Sequence, residues 1–153
     1  MILRREIGAD GDFLFALFAT SQDHLIGVVP PGPAFDQLVR MQYEAQRRAY
    51  LAQWGDEDAM VIEEDGNPIG RIWLHQGDKE LRVLDVILMP ETRGRGLGGA
   101  LIAALCQQAA ESGRRVGLTV QDGNRAQRLY ERLGFTVVAT QLPHIFMQWA
   151  AAS

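Results

Sequence analysis

Four glycines within six residues, Gly94, Gly96, Gly98 and Gly99, separate a nearly continuous apolar run from an amphipathic one. The run before them, Leu81 to Met89, is broken only by Arg82 and Asp85, as suits a central strand covered on both faces. The stretch after them, about Gly98 to Ser112, repeats Leu101, Ile102, Leu105, Cys106 and Ala109 at helical spacing, and Gly113 stops it. With a further strand at Val116 to Val120, this order predicts a right-handed parallel crossover over residues 81–120. Glycine lets the backbone turn tightly and approach a ligand closely. At a helix start the amides have no intrahelical partner and the dipole is positive, so an anion is favoured. Arg93 and Arg95 add forked donors that match phosphate oxygens. The segment Pro90 to Gly99 therefore reads as a pyrophosphate cradle, against the plainer reading of a flexible strand-to-helix connection.

The rest of the chain supplies one α/β domain's worth of elements. Ile2 to Ile7 starts as a strand, and Asp10 or Asp12 can cap a helix through Phe18. Val28 to Pro33 is a break. A long helix fits Phe35 to Trp54, with Phe35, Leu38, Val39, Tyr43, Tyr50 and Trp54 on one face. Ala59 to Glu63 and Ile69 to His75 read as strands joined by the turn Asp65-Gly66-Asn67-Pro68, in an antiparallel first half of the sheet. Asn124 to Leu133 is a short helix, and Phe135 to Ala139 and Ile145 to Trp149 close as strands. At 153 residues, the chain can bury about 68–70% of its unfolded surface.

Charge and cysteine usage remove several function classes. The net charge of −4 disfavours a nucleic-acid partner. No apolar run approaches the roughly 20 residues of a membrane helix, and the N-terminus has no signal-peptide core, so no membrane partner is expected. A single cysteine, Cys106, excludes a disulfide framework and fits a reduced, cytoplasmic compartment. Fourteen arginines to one lysine resemble the bias of a GC-rich bacterial genome. Residues 1–80 hold 7 basic and 14 acidic side chains, whereas residues 81–153 hold 8 and 5. The acidic half includes the runs Asp56-Glu57-Asp58 and Glu63-Glu64-Asp65, which hint at a cationic acceptor or are solvated loop surface.

Three phosphate-bearing ligands compete for the glycine loop. A P-loop would need a Gly-Lys-Ser or Gly-Lys-Thr that is missing. Gly94-x-Gly96-x-x-Gly99 matches a dinucleotide fingerprint, but too little chain follows residue 120 for a doubly wound fold. The third is coenzyme A. Arg93-x-x-Gly96-x-Gly98 resembles the (Gln/Arg)-x-x-Gly-x-(Gly/Ala) signature of the GCN5-related N-acetyltransferases, GNAT. Asn124 to Phe135, with Leu129-Tyr130 and Gly134-Phe135, is similar to a downstream segment of that family, and Asp65-Gly66-x-Pro68-Ile69-Gly70 resembles its β2–β3 hairpin. The resemblance spans about residues 59–135.

That resemblance implies an α/β fold over residues 1–153: a mixed central sheet of about 6–7 strands, about four helices, and two parallel strands splayed at the coenzyme A site. It implies acetyl-CoA as cosubstrate, with no metal. The pyrophosphate would lie on Arg93, Gly94, Arg95, Gly96, Leu97, Gly98 and Gly99, and the pantetheine arm along Val86, Ile87 and Leu88. Asn124 matches a position that contacts the arm, or is a helix cap, and Arg125 and Arg128 are candidates for the 3′-phosphate. Tyr130 matches the tyrosine that protonates the departing thiolate; a phenol with pKa about 10 keeps its proton at neutral pH. The general base is open: Thr119 stands where some relatives carry glutamate, so Asp85 is the best candidate, or else a structural partner of Arg82 or Arg71. Glu63 and Glu64 are further candidates. His24, His75 and His144 show no metal-ligand spacing. The expected function is acetyl transfer from acetyl-CoA to a primary amine of a small molecule or peptide, against a catalytically silent module that only binds or senses coenzyme A. Dimers are common in the family, so a homodimer is compatible with the resemblance.

Overall fold

The computed structural model describes residues 1–22, 30–56 and 58–152. His24, Val28, Val29 and Glu57, named above, lie outside the described residues. The elements run β1 (Ile2–Arg5), α1 (Gly11–Ala19), α2 (Pro33–Trp54), β2 (Ala59–Glu64), β3 (Asn67–Gln76), β4 (Glu80–Leu88), α3 (Leu97–Glu111), β5 (Arg115–Gln121), α4 (Ala126–Arg132), β6 (Thr136–Gln141) and β7 (His144–Trp149). The strands form one seven-stranded mixed sheet in the order β1-β2-β3-β4-β5-β7-β6. Among the described residues, the expected α/β class, strand count and helix count all appear. No helix among the described residues is long and apolar enough to cross a membrane.

The chain divides into two compact units. The first comprises Met1–Ile72 and Val86–Glu91. Here β1 pairs antiparallel with β2, from Ile2↔Glu63 to Arg5↔Met60. Leu14, Phe18, Val39, Tyr43 and Val61 form the core cluster, with Phe13, Phe15 and Leu38 packed against it. Phe15 and Phe18 meet the Tyr43 ring at centroid distances of 5.5 and 5.3 Å. Each such buried aromatic or aliphatic side chain contributes about 1.5–3 kcal/mol by leaving water. Tyr43 is therefore a core residue. Helix α2 begins two residues earlier than its apolar spacing predicts, because Pro33 presets a helical φ and needs no amide partner at a first position.

Two features of this unit go beyond residue type and spacing. Aspartate favours helix caps, but the Asp10 carboxylate makes no cap bond to α1. It accepts 2.8 and 2.9 Å bonds from Arg4 and a 2.8 Å bond from the Ile7 amide, which ties β1 to the 3-10 turn Gly8–Asp10. Gly70 marks a close approach: a Cβ there would lie 2.5 Å from the Ile87 carbonyl oxygen.

The second unit comprises Trp73–Asp85 and Thr92–Ser153. Helix α3 buries Leu101, Ile102, Leu105, Cys106 and Ala109, the stripe expected from spacing. Strands β4 and β5 run parallel, as the crossover requires, and β5 pairs antiparallel with β7. Strand β4 departs from the expectation that both its faces are covered. It is central, but Leu81 and Val83 are buried while Glu80 and Arg82 reach solvent. The polar residues at alternate positions explain the difference, since one face of a strand repeats every second residue. Strand β6 is an edge, exposed along its length, with a register shift between Val137 and Ala139.

Candidate active site

The β4–β5 ladder is short. Its register runs from Glu80↔Arg115 to Val83↔Leu118, while β4 continues to Leu88 and β5 to Gln121. Beyond Leu118, Thr119, Val120 and Gln121 remain paired with Phe146, Ile145 and His144 of β7. The parallel pair therefore ends five residues before β4 does, as splayed strands would require.

The glycine loop supplies the second feature. Gly94 and Gly96 have φ of 81° and 76°, in the left-handed region that a side chain disfavours. A Cβ at either position would meet nothing within 4 Å, so the backbone there is open to a ligand. Helix α3 starts at Leu97, with Gly96 as its cap residue. Its first-turn amides, at Leu97, Gly98 and Gly99, have no intrahelical acceptor, and a 15-residue helix aims its dipole at them. Arg93 and Arg95 are exposed beside them. These residues fit a diphosphate in their chemistry: amide donors at a positive helix end, open backbone at two glycines, and two arginines in the same loop.

Tyr130 on α4 is 8% exposed, with its ring 5.7 Å from that of Phe135. Burial first, and the negative charge of Asp85 second, push its phenol above the usual value of 10. It is thus a core aromatic that also keeps its proton. Asn124 Oδ1 accepts the Ala126 amide at 2.9 Å, just ahead of α4, whose cap residue Arg125 makes no side-chain cap bond. Arg125 and Arg128 are exposed on and beside α4.

A family model described as the acetyltransferase (GNAT) family matches residues 32–135. The chain belongs to this family. It is 37% identical over 90 residues to an uncharacterized N-acetyltransferase of Methanocaldococcus jannaschii, a match covering 52% of this chain and 40% of that protein. In fold it is similar to the PaiA N-acetyltransferase of Thermoplasma acidophilum, solved in complex with coenzyme A (TM-score 0.70, 18% identity, 98% of each chain). It is also similar to PH1933 of Pyrococcus horikoshii (TM-score 0.73, 14% identity, 99% of each chain).

Within this GNAT chain, the remaining charged and nucleophilic side chains separate by their surroundings. Arg71 faces Glu6 at 3.6 Å and Arg82 pairs with Glu80 at 3.2 Å. Glu63 accepts from Arg4 at 3.0 Å. Burial pushes the Cys106 thiol up to about 11, which keeps it protonated. Among the described residues, no group of three or more His, Cys, Asp or Glu side chains gathers to hold a metal. The arrangement that sequence reasoning missed is a network on β4, β5 and β7: Glu80, Arg82, Thr119 and Gln148. A glycine inside a strand, Gly117, was its available signal.

Proposed function

We propose that this GNAT chain transfers the acetyl group of acetyl-CoA to a primary amine by direct attack. Family membership and the early end of the β4–β5 ladder beside the glycine loop support this reading, and the ladder's end is the observation that carries it. The loop residues Arg93, Gly94, Arg95, Gly96, Leu97, Gly98 and Gly99 hold the pyrophosphate through amides and guanidinium groups. The backbone of Val86, Ile87 and Leu88 pairs with the pantetheine arm, Asn124 contacts that arm, and the exposed Arg125 and Arg128 meet the 3′-phosphate.

Acetyl-CoA supplies an activated thioester whose carbonyl carbon the amine attacks, so that a C–N bond forms and a C–S bond breaks. Asp85 takes the proton that the acceptor's ammonium must lose before its nitrogen can attack, and the second proton that the nitrogen sheds on becoming an amide passes to solvent. Tyr130 gives its phenolic proton to the leaving sulfur and recovers one from solvent. The phenol is protonated at neutral pH, so a proton is at hand when the thiolate develops. The single cysteine and the arginine bias support a reducing, bacterial cytoplasm as the setting.

Titration calorimetry with acetyl-CoA tests the cofactor, and no binding at millimolar concentration overturns the reading. Tyr130→Phe should lower kcat about a hundredfold while acetyl-CoA affinity holds. Unchanged turnover in that variant removes the acid role, and acetyl-CoA binding without thiol release to any amine favours the sensing module.

A further inference from the structure

Along β4, β5 and β7 the side chains alternate between a buried row and one that reaches solvent. Leu81, Val83, Val116, Leu118, Ile145 and Met147 make the buried row. Glu80, Arg82, Thr119 and Gln148 occupy the alternate positions together with Gly117, which is buried beneath Glu80, and the four side chains form one network. Arg82 Nη1 donates to Glu80 Oε1, Gln148 Nε2 donates to Glu80 Oε2, and Arg82 Nη2 donates to Thr119 Oγ1, each at 3.2 Å. Glu80 lies flat across Gly117, where a Cβ would come within 2.6 Å of its carboxyl carbon. Thr119 is the first β5 residue past the last rung, Val83↔Leu118. Arg82 is therefore held by both flanks at the point where the parallel ladder ends, with its side chain 25% exposed.

We propose that Arg82 binds the acceptor, and that the acceptor is an amine carrying a carboxylate, of amino-acid type. This rests on the acetyl-CoA reading above. A guanidinium keeps donors to spare after two bonds, in a planar fork that matches a carboxylate. Glu80 and Thr119 hold the fork in place beforehand, so less side-chain freedom is lost on binding. A carboxylate docked there places its neighbouring amine at the parting strands. A polyamine has only donors and offers the Arg82 fork no acceptor atom. The acidic surplus of residues 1–80 gives that cation little help, since Glu6, Asp10 and Glu63 are already paired with arginines.

The test is thiol release at saturating acetyl-CoA with a panel of L-amino acids, the corresponding amino-acid amides, and spermidine. Free acids should exceed their amides about tenfold or more in kcat/KM. Arg82→Gln should bring that ratio to about one through KM for the acids. Arg82→Lys, which keeps the charge and loses the fork, should retain part of the preference, and a thermal melt checks that both variants fold. Equal use of acids and amides, preference for spermidine, or an unchanged ratio in Arg82→Gln overturns the assignment. If acetyl-CoA binds and no member of the panel releases thiol, the assignment falls while the cofactor reading stands. If acetyl-CoA does not bind, the cofactor reading falls and takes the assignment with it.

Discussion

Two glutamate–arginine clusters in this chain use the same chemistry under different solvent. Glu6 is flanked by Arg47 and Arg71, with Arg71 1% exposed and the Glu6 side chain 7%. Glu80 and Arg82 pair at 3.2 Å with side chains 32% and 25% exposed. Away from water, a charge without its partner is costly, so the first cluster holds the fold only while complete. At the surface, water and salt screen the pair, so little stability depends on it, and the guanidinium can still meet a solute. Burial, and not residue type, separates a structural pair from a binding one.

The sharpest way to break this comparison is to remove one arginine from each cluster. Arg71→Met should cost about 3–5 kcal/mol in urea unfolding, because Glu6 stays buried with less compensation. Arg82→Gln should change stability by no more than about 0.5 kcal/mol. Similar losses in the two variants would refute the distinction.

Asp10 lies between these extremes, buried itself but bound to a half-exposed Arg4. Its bonds to Arg4 and the Ile7 amide, opposed by burial, bring its pKa from 3.8 down to about 2. The charged form therefore favours the folded state, and that stability is present above pH 4 and lost as pH falls towards about 2. Asp10→Asn should cost about 1 kcal/mol at pH 7, with the difference from the parent shrinking across that window in acid unfolding.

The smallest effect should come from Gly117→Ala. Its methyl group would displace the Glu80 carboxylate, the mobile end of a side chain, so the fold should survive. Arg82 would lose one of its two anchors, and KM for a carboxylate-bearing acceptor should rise a few-fold in steady-state assays. A melting temperature that collapses in this variant would instead make Gly117 a packing glycine.

The element order and the glycine loop are legible in the sequence because their signals are local. Arg93-x-x-Gly96-x-Gly98 reports a turn and a helix start from adjacent residues. The stripe Leu101, Ile102, Leu105, Cys106 and Ala109 reports the face that α3 buries. Strand β4 is legible only in part: its composition suggests two covered faces, and the exposure of Glu80 and Arg82 shows one. Asp10 looks like a helix cap because Asp favours caps, but Arg4, six residues away and on β1, offers it a bidentate partner.

By itself, the sequence determined what short-range physics can specify: where backbone turns, which helix faces are apolar, and where unpaired amides meet arginine. Tertiary structure decided which charges meet. Arg82 and Asp85 are three residues apart in the chain, and their proximity in sequence suggests a pair. They lie on opposite faces of β4, however: strand alternation sets Glu80 beside Arg82, the β4–β5 register brings Thr119 to it, and Asp85 bears on Tyr130. Strand alternation and cross-strand register are properties of the assembled sheet, and they set the partners of each charge.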